Sequence, residues 1–244
     1  MPISNKMRKK MEAKKEAIKS SQGNNDFHYL KPGVNRIRPV PLTEESDPLP
    51  EIITFFLDKE SGTVISPATF NEPCPIMEKY EKLLKSGSED DIELANKIKP
   101  KRRFVTYALK YEDEKGKNLI PGGPRLVLLP MSVGSQLIDF YTEDEDGYGD
   151  FTNAHNGYSL KIKKEGQGLN TEYSVLATPQ SPCPKPWIKE SIDISQKIKE
   201  AILPYTVLKD KLKTFLSGNL EDIPESVGKN GKSKKSKKPK KSDA

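Results

Sequence analysis

The stretch 102–111, RRFVTYALKY, constrains the fold most, because its side chains alternate along its whole length. Val105, Tyr107, Leu109 and Tyr111 share one face of an extended chain; Arg102, Phe104, Thr106, Ala108 and Lys110 share the other. A period of two sustained over that length specifies a strand. Shorter stretches of the same kind lie on either side. Residues 33–41 carry Val34, Ile37 and Val40, with prolines close behind that keep any strand short. Residues 51–57, EIITFFL, are β-branched and aromatic. RLVLL at 125–129 reads as a buried strand. YSLKIK at 158–163 alternates Tyr158, Leu160 and Ile162 against Ser159, Lys161 and Lys163, and EYSVLA at 172–177 reads as a further strand.

Helical spacing appears in three places. Ile76, Tyr80, Leu83 and Leu84 fall at i, i+4, i+7 and i+8, and a second piece, 89–98, follows the break Ser86–Gly87–Ser88. Residues 132–141 form a helix with Ser132 as N-cap and Val133, Leu137 and Tyr141 inward. Residues 191–217 are helical with an interruption at Pro204. Two strands, a helix and two more strands, with one strand ahead, is the order of an OB-fold, whose helix sits between strands three and four. The expected fold is therefore mainly β with α additions: a five-stranded OB-fold barrel with helical insertions and disordered basic ends. Other small α+β domains share this order.

Charge is segregated along the chain. The total of +6 hides seven Lys or Arg against Glu12 and Glu16 in 1–21, net +5, and eight Lys against Asp243 in 229–244, net +7, so residues 22–228 carry −6. A basic total therefore does not by itself point to nucleic acid; local clustering decides. These shifts divide the chain into a basic arm (1–22), a core (23–190) with a helical insertion at 75–98, a C-terminal helical segment (191–220), and a tail (221–244) that is lysine-rich from 229 and expected to be disordered. No apolar run approaches the roughly 20 residues that span a bilayer. The opening MPISNKMRKK lacks the apolar stretch of a secretory leader. Cys74 and Cys183 stand far apart, unlike a disulfide framework, so a cytoplasmic setting is expected.

Catalysis finds little support. His28 and His155 have no nucleophile or carboxylate motif beside them, and Gly122–Gly123 and Gly166–Gly168 lack the Lys-Ser/Thr of a phosphate loop. The carboxylates of 143–150 lie in a polar loop and suit a solvated surface. No enzyme is expected. Cys74–Pro75–Ile76–Met77 looks like half a zinc knuckle whose second thiolate position is Met, so no cofactor is expected and zinc is not.

The strongest local signal is 97–111, with six Lys or Arg and no acid. Lys99, Lys101, Arg102 and Arg103 lead into a strand bearing Phe104, Tyr107, Lys110 and Tyr111. Cations that track phosphates beside aromatic rings that stack on unpaired bases are what a single-strand groove requires. The same residues also suit a barrel strand with core aromatics and a solvated lead-in. On this reading Phe104 is the stacking candidate and Tyr107 belongs to the core. Lys161, Lys163 and Lys164, beside Tyr158, form a second basic ladder, and Arg36 with Arg38 a third; pairing in one barrel would line them along one groove.

Four segments in order resemble a known family. They are 31–42, KPGVNRIRPVPL; Pro73–Cys74–Pro75 followed by a helix and Lys99–Pro100–Lys101–Arg102–Arg103–Phe104; Gly149–Asp150–Phe151–Thr152 with Asn156–Gly157; and Gly166–Gln167–Gly168–Leu169–Asn170–Thr171–Glu172–Tyr173–Ser174–Val175. Over roughly 30–220 they resemble the tailed-bacteriophage single-stranded DNA-binding proteins, the gene-32-protein-like group. The resemblance implies an OB-fold core that coats single-stranded DNA with little sequence preference in replication, recombination and repair. It also implies a host-cell cytoplasmic location for a phage-encoded chain, replication proteins as partners, and self-association along DNA through the basic arm 1–21. The family often carries zinc on a Cys-x-x-Cys pair and an acidic tail; here Met77 replaces the second Cys and the tail is rich in lysine. A packaging protein that binds duplex DNA through its tails, or an RNA-binding OB protein, are the rival readings.

Overall fold

The computed structural model describes residues 27–58, 61–142 and 148–220; the arm 1–22 and the tail from 221 lie outside them. Eight strands form one mixed sheet: β1 Phe27–His28, β2 Gly33–Pro39, β3 Glu51–Phe56, β4 Thr63–Ile65, β5 Lys101–Lys110, β6 Arg125–Leu129, β7 Leu160–Glu165 and β8 Glu172–Ala177. Five α-helices accompany them: α1 Pro75–Ser86, α2 Glu89–Lys97, α3 Met131–Thr142, α4 Ile194–Ala201 and α5 Tyr205–Leu220. The protein is mainly β with helical additions.

The long alternating strand is the hub. Along one edge, β5 pairs antiparallel with β3 through Lys101–Phe104 and with β2 through Ala108–Lys110; along the other it pairs with β6. Its two faces are not one apolar and one polar. Val105 and Leu109 are buried on one, Thr106 and Ala108 on the other. A central strand covered by other elements on both sides loses the simple inside–outside alternation.

The strands run β1-β6-β5-β2-β7-β8, with β3 and β4 branching from β5. Strands β2, β5, β6, β7 and β8, with α3 between β6 and β7, follow the order expected for the barrel. The sheet is nevertheless not a closed barrel: among the described residues no rung joins β6 to β8. Both edges of that seam are already occupied. The outer edge of β6 is taken by β1 in parallel pairing, Phe27 opposite Leu126 and His28 opposite Val127. The outer edge of β8 is capped by Gln136 of α3, whose side-chain oxygen accepts from Val175 N–H at 3.1 Å and whose amide donates to the Tyr173 carbonyl at 3.3 Å. One side-chain amide thus satisfies the backbone groups that a strand would have paired.

Helix α3 starts at Met131, with the Pro130 carbonyl accepting from Val133 and Gly134, so Ser132 lies inside the helix rather than capping it. Val133 and Leu137 are buried as expected, whereas Tyr141 is exposed. Gly134 permits the helix to touch the sheet: a Cβ there would fall 2.0 Å from the Phe104 ring. The break between α1 and α2 is built as read, with Gly87 in the left-handed region at φ 72° and Ser88 accepting from Asp91 N–H.

One core fills the sheet interior beneath α3, with Ile37, Ala108, Val127, Leu160, Ile162 and Val175. A second joins the helical insertion to the C-terminus: Phe55, Ile76, Leu83 and Ala95 pack with Leu208, Leu212 and Phe215 of α5. Each fully buried side chain of this kind contributes about 1.5–3 kcal/mol, so α5 anchors the insertion firmly. Between the two, α4 packs Ile194 and Ile198 against Ile52, Val105 and Leu126.

Candidate nucleic-acid interface

The pleat sorts the expected basic residues into separate places. In the β2–β7 ladder Arg36 stands opposite Lys161, Val34 opposite Lys163, and Gly33 opposite Lys164. Lys161 and Lys163 therefore share the outer face with Arg36, while Lys164 turns the other way with Ile162. The single ladder Lys161–Lys163–Lys164 is a split one.

Lys164 stands directly opposite Tyr173 on β8. Both line a cavity of about 130 Å³ at the mouth of the unpaired seam, together with Tyr29, Leu30, Arg103 and Leu128. Thr63 of β4 and Pro130 complete the wall, so the notch lies between the sheet and the strand pair that leads into the helical insertion. Tyr29 is exposed and its ring centroid lies 6.0 Å from that of Phe27. Lys101 lies two residues before Arg103, on the same face of β5, and is exposed, as is Lys99. Two cations and two phenol rings lining one cavity can hold phosphates and stack bases. Tyr29, Leu30 and Tyr173 escaped the sequence reading. Tyr173 was within reach of it, because the 172–177 strand alternates, but its partner across the sheet was not.

A second basic area covers the outer face of β2, β7 and β8. The Arg36 guanidinium sits 5.2 Å from the centroid of the half-buried Tyr111 ring and donates to the Lys115 carbonyl at 2.8 Å. Lys163 pairs with Glu165 at 2.9 Å. Val34 and Leu176 are exposed beside them, Leu176 at 65%.

Four expected site residues serve the fold instead. Arg38 is completely buried, and its guanidinium donates to the carbonyls of Pro39, Phe151, Asn153 and Ser181. Burial pulls its pKa below the usual arginine value. Tyr158 is equally buried, its hydroxyl donating to Gly149 O at 3.1 Å, and burial raises its pKa. Lys110 is buried and donates to the Tyr29 carbonyl; burial first, then the neighbouring Lys31, lowers its pKa to about 8. Phe104 packs on the interior core under Gly134, which withdraws it from the stacking role. Tyr107 is half-buried beside α4, consistent with a core position. Arg102 is exposed but bound in two-pronged fashion by Glu51, with Nη2–Oε2 at 2.6 Å. That pairing ties up a charge the sequence left unpartnered.

Cys74 caps the start of α1 inside the second core, Met77 packs against that core, and among the described residues no group of three or more His, Cys, Asp or Glu could hold a metal ion. Among the described residues no helix is long and apolar enough to cross a membrane.

A family model described as gp32 DNA binding protein like matches residues 31–215 of the chain. No curated protein compared with the chain matches it.

Proposed function

The chain belongs to the gp32-like DNA-binding protein family, and we propose that it binds single-stranded DNA without catalysing a reaction, coating exposed strands during replication, recombination and repair. The observation that carries this reading is the seam notch, whose lining brings Tyr29 and Tyr173 together with Arg103 and Lys164. Two rings lining one cavity of about the volume of a base suit an unpaired strand, because a duplex keeps its base faces stacked inside. Phosphates would run from the notch along Lys101 and Lys99. The outer patch of Arg36, Lys161 and Lys163 gives a second set of phosphate contacts.

Competition between single-stranded and duplex DNA, measured with the tail 229–244 removed, tests the reading. A clear preference for the single strand is expected, and equal affinity for both would overturn it. With about five phosphates neutralised, log K should fall with log salt at a slope of roughly −3.5. The arm 1–21 adds cooperative contacts between neighbours on this reading. Its deletion should then weaken binding on multi-site strands more than on one-site strands, and equal loss on both would remove the arm from that role. Elemental analysis should find no stoichiometric zinc, since among the described residues no group of three or more His, Cys, Asp or Glu gathers around Cys74; one zinc per chain, lost on Cys74→Ser, would reverse this.

A further inference from the structure

Two residues of the seam notch, Tyr29 and Leu30, come from the link between β1 and β2. The rungs between β1 and β6 end at His28, and those between β2 and β7 begin at Gly33, so this link lies outside the strand pairing. It nevertheless presents Tyr29, exposed at 44%, to whatever enters the notch. Two buried polar side chains hold its backbone. Lys110, at the end of β5, donates from Nζ to the Tyr29 carbonyl. Asn35 of β2 accepts from the Lys31 N–H at 2.8 Å through its side-chain oxygen and donates to the Lys31 carbonyl at 2.7 Å. The Asn35 amide also reaches the Ile162 carbonyl on β7 at 3.3 Å, which ties it to the sheet.

Neither is a residue that packing alone would select, yet both are buried. Burial and the neighbouring Lys31 act against the ammonium charge of Lys110. An amine kept inside against that opposition is explained by the carbonyl it serves, because a buried polar group is costly unless its hydrogen bond is made. The Tyr29 ring has a support of its own. Its centroid lies 6.0 Å from that of Phe27, which is buried among Ile52, Val105 and Leu126. The ring thus rests on a core residue, while the backbone is fixed at Tyr29 and again at Lys31.

We propose that Lys110 and Asn35 are positioning residues for the notch: they hold the backbone of the link 29–32 so that Tyr29 stands ready as a platform for an unpaired base. This rests on the reading that the notch holds a single strand. A platform set in place before the strand arrives binds it more tightly, because ordering a loop on binding costs affinity. Lys110 contributes to binding through Tyr29, without touching the strand itself.

A double-mutant cycle on the full-length protein tests this, read by titration with one-site oligothymidylate below the melting temperature of every variant. Tyr29→Ala should weaken binding about tenfold, as loss of a stacking face does. Lys110→Met fills the same space without a donor. It should weaken binding about fivefold, and the two changes together should be no weaker than Tyr29→Ala alone, because residues that act through one another do not add. Hydrogen exchange of the free proteins gives a second readout. The amides of 29–31 should exchange faster in Lys110→Met, with the β2–β7 ladder unchanged. Asn35→Ala should behave alike in both measurements, and it carries the test if Lys110→Met does not fold. Unchanged affinity in the positioning variants, losses that multiply in the double variant, or unchanged exchange of the link would overturn the proposal. Such results leave the notch standing as long as Tyr29→Ala and Tyr173→Ala weaken binding. If both of those are silent, the single-strand reading of the notch falls, and this proposal with it.

Discussion

The two ends of the β2–β7 ladder hold the same residue types and use them oppositely. At one end Arg38 and Tyr158 are buried, with Nη1 and Nη2 of Arg38 and the Tyr158 hydroxyl donating to backbone carbonyls of Pro39 and of the 149–153 and 181 segments. At the other end Lys164 and Tyr173 face a notch and are only partly covered. The difference lies in what crosses over them. The loop 149–157 folds back on the first end, and Gly157 lets it do so: a Cβ there would meet Arg38 Nη2 at 2.7 Å and two backbone carbonyls. The second end is where β6 and β8 fail to pair. A cation next to an aromatic ring is a binding site only where the backbone around it leaves the pair open.

The sharpest way to break this comparison is to remove Arg38. Arg38→Met leaves four carbonyls without their charged donor, and it should cost about 3–5 kcal/mol of stability. Urea denaturation checks this. The fraction that remains folded should bind single strands normally; a loss of affinity at unchanged stability would return Arg38 to the interface. Phe104→Ala comes next. It opens space under Gly134 and should destabilise by about 2–3 kcal/mol, read as a lower melting temperature with one-site DNA affinity preserved once folding is corrected for.

Tyr173→Ala is the opposite case. It should weaken single-strand binding by about 1–3 kcal/mol through loss of a stacking face, with little change in melting temperature. An unchanged affinity would show that the notch does not hold bases. Lys164→Ala should have a smaller effect, best seen in salt titration, where the slope should become shallower by about 0.7.

A separate, pH-dependent effect concerns β1, which occupies the outer edge of β6. Burial, then the charge of Arg125, lowers the His28 pKa to about 4 from 6.5. In acid the unfolded chain takes up that proton first. Stability should therefore fall as pH drops from 6.5 towards 4. Other carboxylates titrate in the same range, so the comparison is with His28→Gln, whose melting temperature should fall less over that window. Identical pH profiles would remove His28 from the acid response.

Much of the fold was legible from local pattern. The strand at β5, the Gly87 break between α1 and α2, the 172–177 strand and the interruption at Pro204 all follow from side-chain period and backbone chemistry, which act within a few residues. Strands β1 and β4 were not legible, because two or three residues carry no period. The face assignment of Phe104 failed for a different reason. Alternation says which side chains share a face, but not which face is covered, and α3 reaches that face through a glycine distant in sequence.

The sequence by itself determined that this chain is built of short strands around a long alternating one, that its positive charge sits at the ends and in 97–111, and that its motifs follow those of a DNA-binding family. Tertiary structure alone decided which cations remain available. Arg36, Arg38, Lys110 and Lys164 look alike in sequence; one lies over a tyrosine ring, two are sealed under backbone carbonyls, and one opens into a notch. Burial and hydrogen-bond partners depend on chain segments tens of residues away, such as 149–153 against Arg38, and no local pattern carries that information.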